Sequence, residues 1–169
     1  MRINMKKQFI IYLLLTTLFS QSYKDLSERP VYKPIKISSS ITFDGKVDLE
    51  EWSNAQVATN FIGSGTFQGE DALLKTEARL MYDDTNLYIS FKAFVDRDEL
   101  RYSITKRDNL DDKDDRVWVN IDAFDDESLT YGIGVSAGGA QIDGRATYGF
   151  DQSLDLVYDT KVQIFDNRY

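Results

Sequence analysis

The 169-residue sequence predicts an all-β fold, an antiparallel β-sandwich of jelly-roll or immunoglobulin-like type with one or two short helices. Three features predict it. Apolar and polar residues alternate with period two through successive short segments, as they do in half-buried strands. Clusters of Asp, Asn, Ser and Gly, which form turns readily, separate those segments. Only one stretch carries a clear helix start.

The helical stretch comes first. Asp48-Leu49-Glu50-Glu51-Trp52 places acidic residues where a helix N-terminus favours them, and about two turns are expected. Trp52, with Leu49 beside it, is expected to plug one end of the core, and Asp44-Gly45 before it to turn the chain. In Thr76–Tyr82, Ala78, Leu80 and Tyr82 share one side, with Glu77 and Arg79 on the other. Asp83-Asp84-Thr85-Asn86 is a turn. In Leu87–Phe94, Leu87, Ile89, Phe91 and Ala93 point inward and Tyr88, Ser90 and Lys92 outward, completing a hairpin. Asp98–Thr105 has room for a second short helical turn. Val117, Val119, Ile121 and Ala123 then alternate with Trp118, Asn120, Asp122 and Phe124. After a turn at Asp125–Ser128, Leu129, Tyr131, Ile133 and Val135 alternate with Thr130, Gly132, Gly134 and Ser136. Gly138-Gly139 turns the chain again, and Gln141–Ala146 and Leu156–Phe165 read as further strands.

The first residues do not fit this pattern. Arg2, Lys6 and Lys7 precede an apolar run, Phe9–Phe19, and small residues follow at Ser20 and Ser22. This is the order of a secretory signal peptide, expected over residues 1–22. The run of about 11 residues is short against the ~20 that span a bilayer, so a membrane anchor is the lesser reading. Residues 23–34, with two prolines, read as a linker, and 35–169 as one domain. Asp166-Asn167 is a turn signal with only Arg168 and Tyr169 after it, so the sandwich is expected to be truncated before its last strand. An exported protein of the periplasm, outer membrane or exterior is expected.

Composition narrows the chemistry. The chain has no His and no Cys, which excludes a Ser-His-Asp triad, His-ligated zinc, bound haem through His, thiolate catalysis and disulfides. Without the leader's three cations the net charge is about −11, which disfavours nucleic acid and anionic membrane surfaces. Paired carboxylates are unavoidable with 28 acids, and no segment sets one in an apolar pocket as a glycosidase acid requires. The domain is therefore expected to be no enzyme.

Trp118, Asn120 and Asp122 share one face of one strand, about 7 Å apart in sequence along it. Sugars pack flat C–H faces on aromatic rings and bond their hydroxyls to amides and carboxylates, so this face suits carbohydrate. The competing reading is a second buried face holding Trp118 and Phe124. Tyr148, with Tyr102 and Phe150, is a candidate aromatic clamp or else ordinary packing. Asp108, Asp111, Asp112 and Asp114, with Asp115, form an acidic cluster that offers oxygens for calcium, which takes roughly six to eight. The EF-hand pattern fails there, with Lys113 at the glycine place and Val119 at the closing glutamate, so a solvated acidic loop competes. Structural calcium is the single candidate cofactor.

The order Ile41-Thr42-Phe43-Asp44-Gly45, Asp48 to Trp52, Phe61, Tyr82-Asp83-Asp84, Leu87-Tyr88-Ile89, Arg107-Asp108, Asp115 to Val119 with Ile121-Asp122, Tyr131 to Val135, Gly139-Ala140-Gln141 and Asp143 resembles the family 9-like carbohydrate-binding modules. The version most similar stands at the N-terminus of large exported proteins of Gram-negative bacteria, ahead of a long β-rich region resembling an outer-membrane barrel. The resemblance runs from about Ile35 to the end of the chain. It implies a β-sandwich, sugar binding, structural calcium in some members, and a closing strand after Asn167. It also implies that an Arg near Arg107 faces the ligand, where its forked donors suit vicinal hydroxyls. A salt bridge from Arg107 to the adjacent acidic loop is the alternative. The function expected is a non-catalytic module that targets a larger exported cell-envelope or glycan-processing protein to polysaccharide. Its partners would be a polysaccharide or oligosaccharide and the remainder of its own protein. The alternative is a structural or partner-docking domain of an outer-membrane protein with no sugar site.

Overall fold

The computed structural model describes residues 30–39, 41–47, 49–63, 69–125 and 128–169. The expected leader, and the linker up to residue 29, lie outside the described residues. The chain divides into two compact units. In the smaller one, which includes Ile62–Asp71, Ile62 bridges Asp71 and the Gly63 N–H donates to the Glu70 carbonyl at 2.8 Å. Among the described residues, the larger unit, Tyr32–Phe61 with Ala72–Tyr169, holds the strands and the helix.

The larger unit is the all-β architecture expected, with two sheets and no closed barrel. The first sheet has the order β1-β2-β3, from Ile35–Lys36, Thr76–Tyr82 and Leu87–Ala93. The second has the order β4-β5-β6-β7, from Arg116–Asp122, Thr130–Ser136, Gln141–Ala146 and Phe150–Asp151. All neighbours are antiparallel except β1 and β2, which are parallel. The β2–β3 hairpin closes where Asp83 ends β2's run. Its carboxylate accepts the N–H groups of Thr85 and Asn86 and the Tyr88 hydroxyl, all at 2.7 Å. The Tyr88 hydrogen bond first, then the two backbone donors, hold this carboxyl well below the usual carboxylate range.

Helix α1 is Leu49–Trp52, one turn and not the two expected. Ser53 stops it, because its hydroxyl turns back to the Glu50 carbonyl at 3.0 Å and offers the backbone an alternative to continuing. Trp52 is buried, as expected, and forms a core with Ala55 and Met81, against which Ile35, Ile37, Ile41, Val47 and Tyr88 pack. This core also covers the face of the first hairpin expected to point outward, while Ala78 on the expected inner face is buried as expected. Met81 is fully buried and Arg79 and Ser90 are nearly so, whereas Tyr82 and Leu87, expected inside, are exposed. The tryptophan covers the side that carries Glu77 and Arg79, and Arg79 is kept there by an ion pair to Glu77 at 3.1 Å. The turn expected within Asp98–Thr105 begins earlier, with the N–H groups of Glu99 and Leu100 both donating to the Asp96 carbonyl.

The expected strand Leu156–Phe165 is not one. Side chains, not a ladder, hold its backbone: Arg107 donates to the Leu156 carbonyl and Gln141 to that of Tyr158, both at 2.7 Å, while the Gln163 amide donates to the Asp44 carbonyl at 2.8 Å. Its alternation is real, but among the described residues no backbone hydrogen bond ties 156–164 to a strand. The last residues do start a ladder. Ala93 and Tyr169 exchange both backbone hydrogen bonds, at 2.9 and 3.0 Å, at the end of β3.

Candidate functional site

The pleat sorts the second sheet into two faces. The register pairs Trp118 with Gly134 and Asn120 with Gly132, and Gly132 with Gly144 on β6. Val119 pairs with Ile133, and Ile133 with Asp143. Paired residues point the same way, so Trp118, Asn120 and Asp122 share one face, and Asp143 lies on the other with the valines and isoleucines. The expected alternation of β4 is therefore correct.

The indole of Trp118 lies on a bed of glycine. A Cβ at Gly132 would stand 2.0 Å from its Cζ2, and one at Gly134 2.5 Å from its Cε3. Only residues without side chains at both places let a ring of this size rest on the neighbouring strand. Phe150 meets the indole edge to face, with ring centroids 5.5 Å apart and planes at 66°. A Cβ at Gly144 would in turn meet Phe150, 2.7 Å from its Cζ. The indole Nε1–H donates to Asn120 Oδ1 at 2.7 Å. Trp118 is half-buried, Asn120 is exposed, and Phe150 and Phe124 are exposed large hydrophobics. Asp122 accepts the N–H groups of Phe124 and Asp125 at 3.1 and 2.8 Å, which fixes the end of β4. Tyr148, at the tip of the β6–β7 hairpin, is fully exposed. The result is a ring packed over the glycines of the next strand, with an amide and a carboxylate along its own strand.

Arg107 belongs to the other face. Its Nη2 donates to Asp143 and, at 2.7 Å, to the Leu156 carbonyl, and its Nη1 reaches Gln141 Oε1 at 3.4 Å. Its Nε stands 3.5 Å from both Asp108 and Asp155. Asp143 is fully buried, and both its oxygens are engaged, the second by the Leu156 N–H. Tyr158 lies under the guanidinium, 5.3 Å from ring centroid to Cζ, and donates its hydroxyl to the carbonyls of Gly134 and Ile142. Burial lowers the Arg107 pKa, but the hydrogen bond and charge of Asp143 outweigh it, and the net direction is upward. Burial, and then the charge of Asp143, push the Tyr158 phenol up.

Among the described residues, the carboxylates that converge tightly enough for a metal are Asp108, Asp143 and Asp155, whose oxygens lie within 4.8 Å of one another. Of the four sequence candidates only Asp108 belongs to this group. Asp111 holds the Lys113 N–H at 2.9 Å, Asp114 accepts the Ser103 hydroxyl at 2.5 Å, and Asp112 is exposed. Arg107 is in ion-pair reach of all three converging carboxylates, so a guanidinium already supplies the cationic charge a metal would bring.

The fold thus gathers Trp118, Asn120 and Asp122, places Tyr148 at a hairpin tip along the same sheet, and sends Arg107 to the opposite face. Sequence reasoning missed the glycine bed, although the signal was present: Gly132 and Gly134 recur at the spacing of one strand face. It also missed Asp143, Asp155, Gln141 and Tyr158 as partners of Arg107, which no local spacing announces. No family model, curated protein or solved structure matches this chain.

Proposed function

We propose that this chain is a non-catalytic carbohydrate-binding β-sandwich, exported to target a larger cell-envelope or glycan-processing protein to polysaccharide, with Trp118, Asn120 and Asp122 as its sugar-facing surface. The observation that carries the reading is the indole resting over Gly132 and Gly134, with an exposed amide beside it. A sugar ring stacks on such a platform and meets hydrogen-bonding groups on its rim. The resemblance to family 9-like modules supports the same ligand class. It also assigned Arg107 a ligand-facing role, but the ion pairs of that side chain favour a clamp on residues 155–158. The acidic composition suits a neutral saccharide.

Calorimetric titration of the chain against neutral plant, algal and bacterial oligosaccharides tests the reading. Binding is expected for at least one, and Trp118→Ala should weaken it about tenfold or more, since stacking on an aromatic contributes on the order of 1–3 kcal/mol. Absence of binding to every member of the panel would overturn it.

The second reading, a structural or partner-docking domain without a sugar site, is favoured by one observation. Among the described residues, β3 is an edge strand whose outer side takes a backbone pairing at Ala93, from Tyr169, and Leu87 on it is exposed. An open edge of this kind pairs with an extended polypeptide.

A further inference from the structure

We propose that Asn120 is the specificity-determining donor of the Trp118 surface, presenting a fixed N–H pair to an acceptor oxygen of the saccharide seated on the indole. This inference rests on the carbohydrate reading above. An indole nitrogen donates and cannot accept. The Asn120 atom 2.7 Å from Trp118 Nε1 is therefore the amide oxygen, and a flipped amide would set N–H against N–H. The indole is itself held, by the backbone of Gly132 and Gly134 beneath it and by the edge contact to Phe150. A held ring holds the amide. Asn120 is exposed, and among the described residues its Nδ2 has no hydrogen-bond partner.

The consequence is chemical. A freely rotating amide offers donor or acceptor as the ligand requires, whereas this one has committed its oxygen to the indole. Beside the ring, the Asn120 side chain offers donors alone. A saccharide stacked there must turn an oxygen toward it, from the ring, a glycosidic link or a hydroxyl acting as acceptor. Epimers that place a C–H there lose the bond, which makes the amide a selector among sugars of equal stacking area.

The test uses the whole chain and a panel of neutral oligosaccharides of xylose, glucose, galactose and mannose. Asn120→Asp keeps the shape and the acceptor for the indole but removes both donors. It should weaken the best wild-type ligand roughly tenfold, as expected for one lost hydrogen bond to an oriented donor. The Trp118 indole N–H should remain hydrogen-bonded, its resonance moving downfield as the acceptor becomes a carboxylate. Asn120→Ala removes the donors without adding charge and should lose affinity by the same factor, which guards against an effect of the carboxylate alone. Trp118→Phe keeps a ring but frees the amide, and should narrow the ratio of affinities between the best and the second ligand. If the wild type binds a sugar and both Asn120 variants bind it within about twofold, this inference falls while the carbohydrate reading stands. If the wild type binds none of the panel, both fall.

Discussion

The Arg107 cluster and the Trp118 surface lie on opposite faces of the same four strands, and they treat their polar groups in opposite ways. Around Arg107 both oxygens of Asp143 are engaged, and the guanidinium reaches three carboxylates and a carbonyl. Around Trp118 one internal hydrogen bond orients an amide and leaves its donors facing outward. A closed network of this kind fixes a segment of chain, here residues 155–158, which has no ladder of its own. An open one, next to a flat ring, is where a ligand would add. The two sets of residues look alike in sequence, since each mixes aromatics, amides and acids.

The comparison can be broken first at its closed side. Asp143→Ala removes the one fully buried carboxylate of the three that Arg107 reaches; a broken buried pair typically costs about 3–5 kcal/mol, and the retained Asp108 and Asp155 place the loss toward the lower end. Denaturant unfolding should show a loss of that order, and replacing Arg107 and Asp143 together by apolar residues should recover part of it. A loss below about 1 kcal/mol would show that the cluster does not hold the chain. Sugar affinity, where present, should change far less than stability, because the cluster is on the other face.

The open side is probed at its bed. Gly132→Ala would put a methyl 2.0 Å from the indole, so the ring must leave its place. Overpacking of this sort costs about 1–3 kcal/mol, and tryptophan emission and the Trp118 indole resonance should both shift. An unchanged resonance would mean that the ring does not rest there.

The smallest effect is electrostatic and belongs to Tyr169, paired with Ala93 at the end of β3. Burial, with the negative charge of Asp115 second, pushes the Tyr169 phenol up to about 12. An ordinary tyrosine ionises near pH ~10, so above that value the unfolded chain loses this proton before the folded chain does. The stability due to Tyr169 is complete below about pH 10 and is lost as the pH rises toward 12. An absorbance titration of the native chain should find a late-ionising tyrosine that Tyr169→Phe removes, and the variant's stability should fall less steeply over that range.

Much of the fold was legible because strand periodicity is a local property. β2, β3, β5 and β6 fall where the alternation predicts, since each is long enough for the pattern to repeat. β7 was not legible, because its two residues carry no period. β1 is equally short and pairs in parallel with a strand far along the chain, which no neighbouring turn foretells. The burial of Ala78 was legible, but that of the second face of β2 and β3 was not, because Arg79 and Ser90 look like surface residues and only the position of Trp52 buries that side. At the candidate site, Trp118, Asn120 and Asp122 were legible together, being alternate residues of one strand. Arg107 was legible only in its ion pair with the adjacent Asp108, since its other partners Asp143 and Asp155 are 36 and 48 positions away.

The amino-acid sequence by itself determined the secondary structure of the long strands, the shared face of Trp118, Asn120 and Asp122, and the chemistries closed to a chain without His or Cys. These follow from the pleat and from side-chain inventory, which need no distant residue. The tertiary structure alone decided that the indole rests on glycines of the next strand, that Arg107 joins acids from the other side of the sheet, and that Leu156–Phe165 is tied by side chains. Each of these depends on which strands become neighbours and in what register, and a one-residue slip would exchange the two faces.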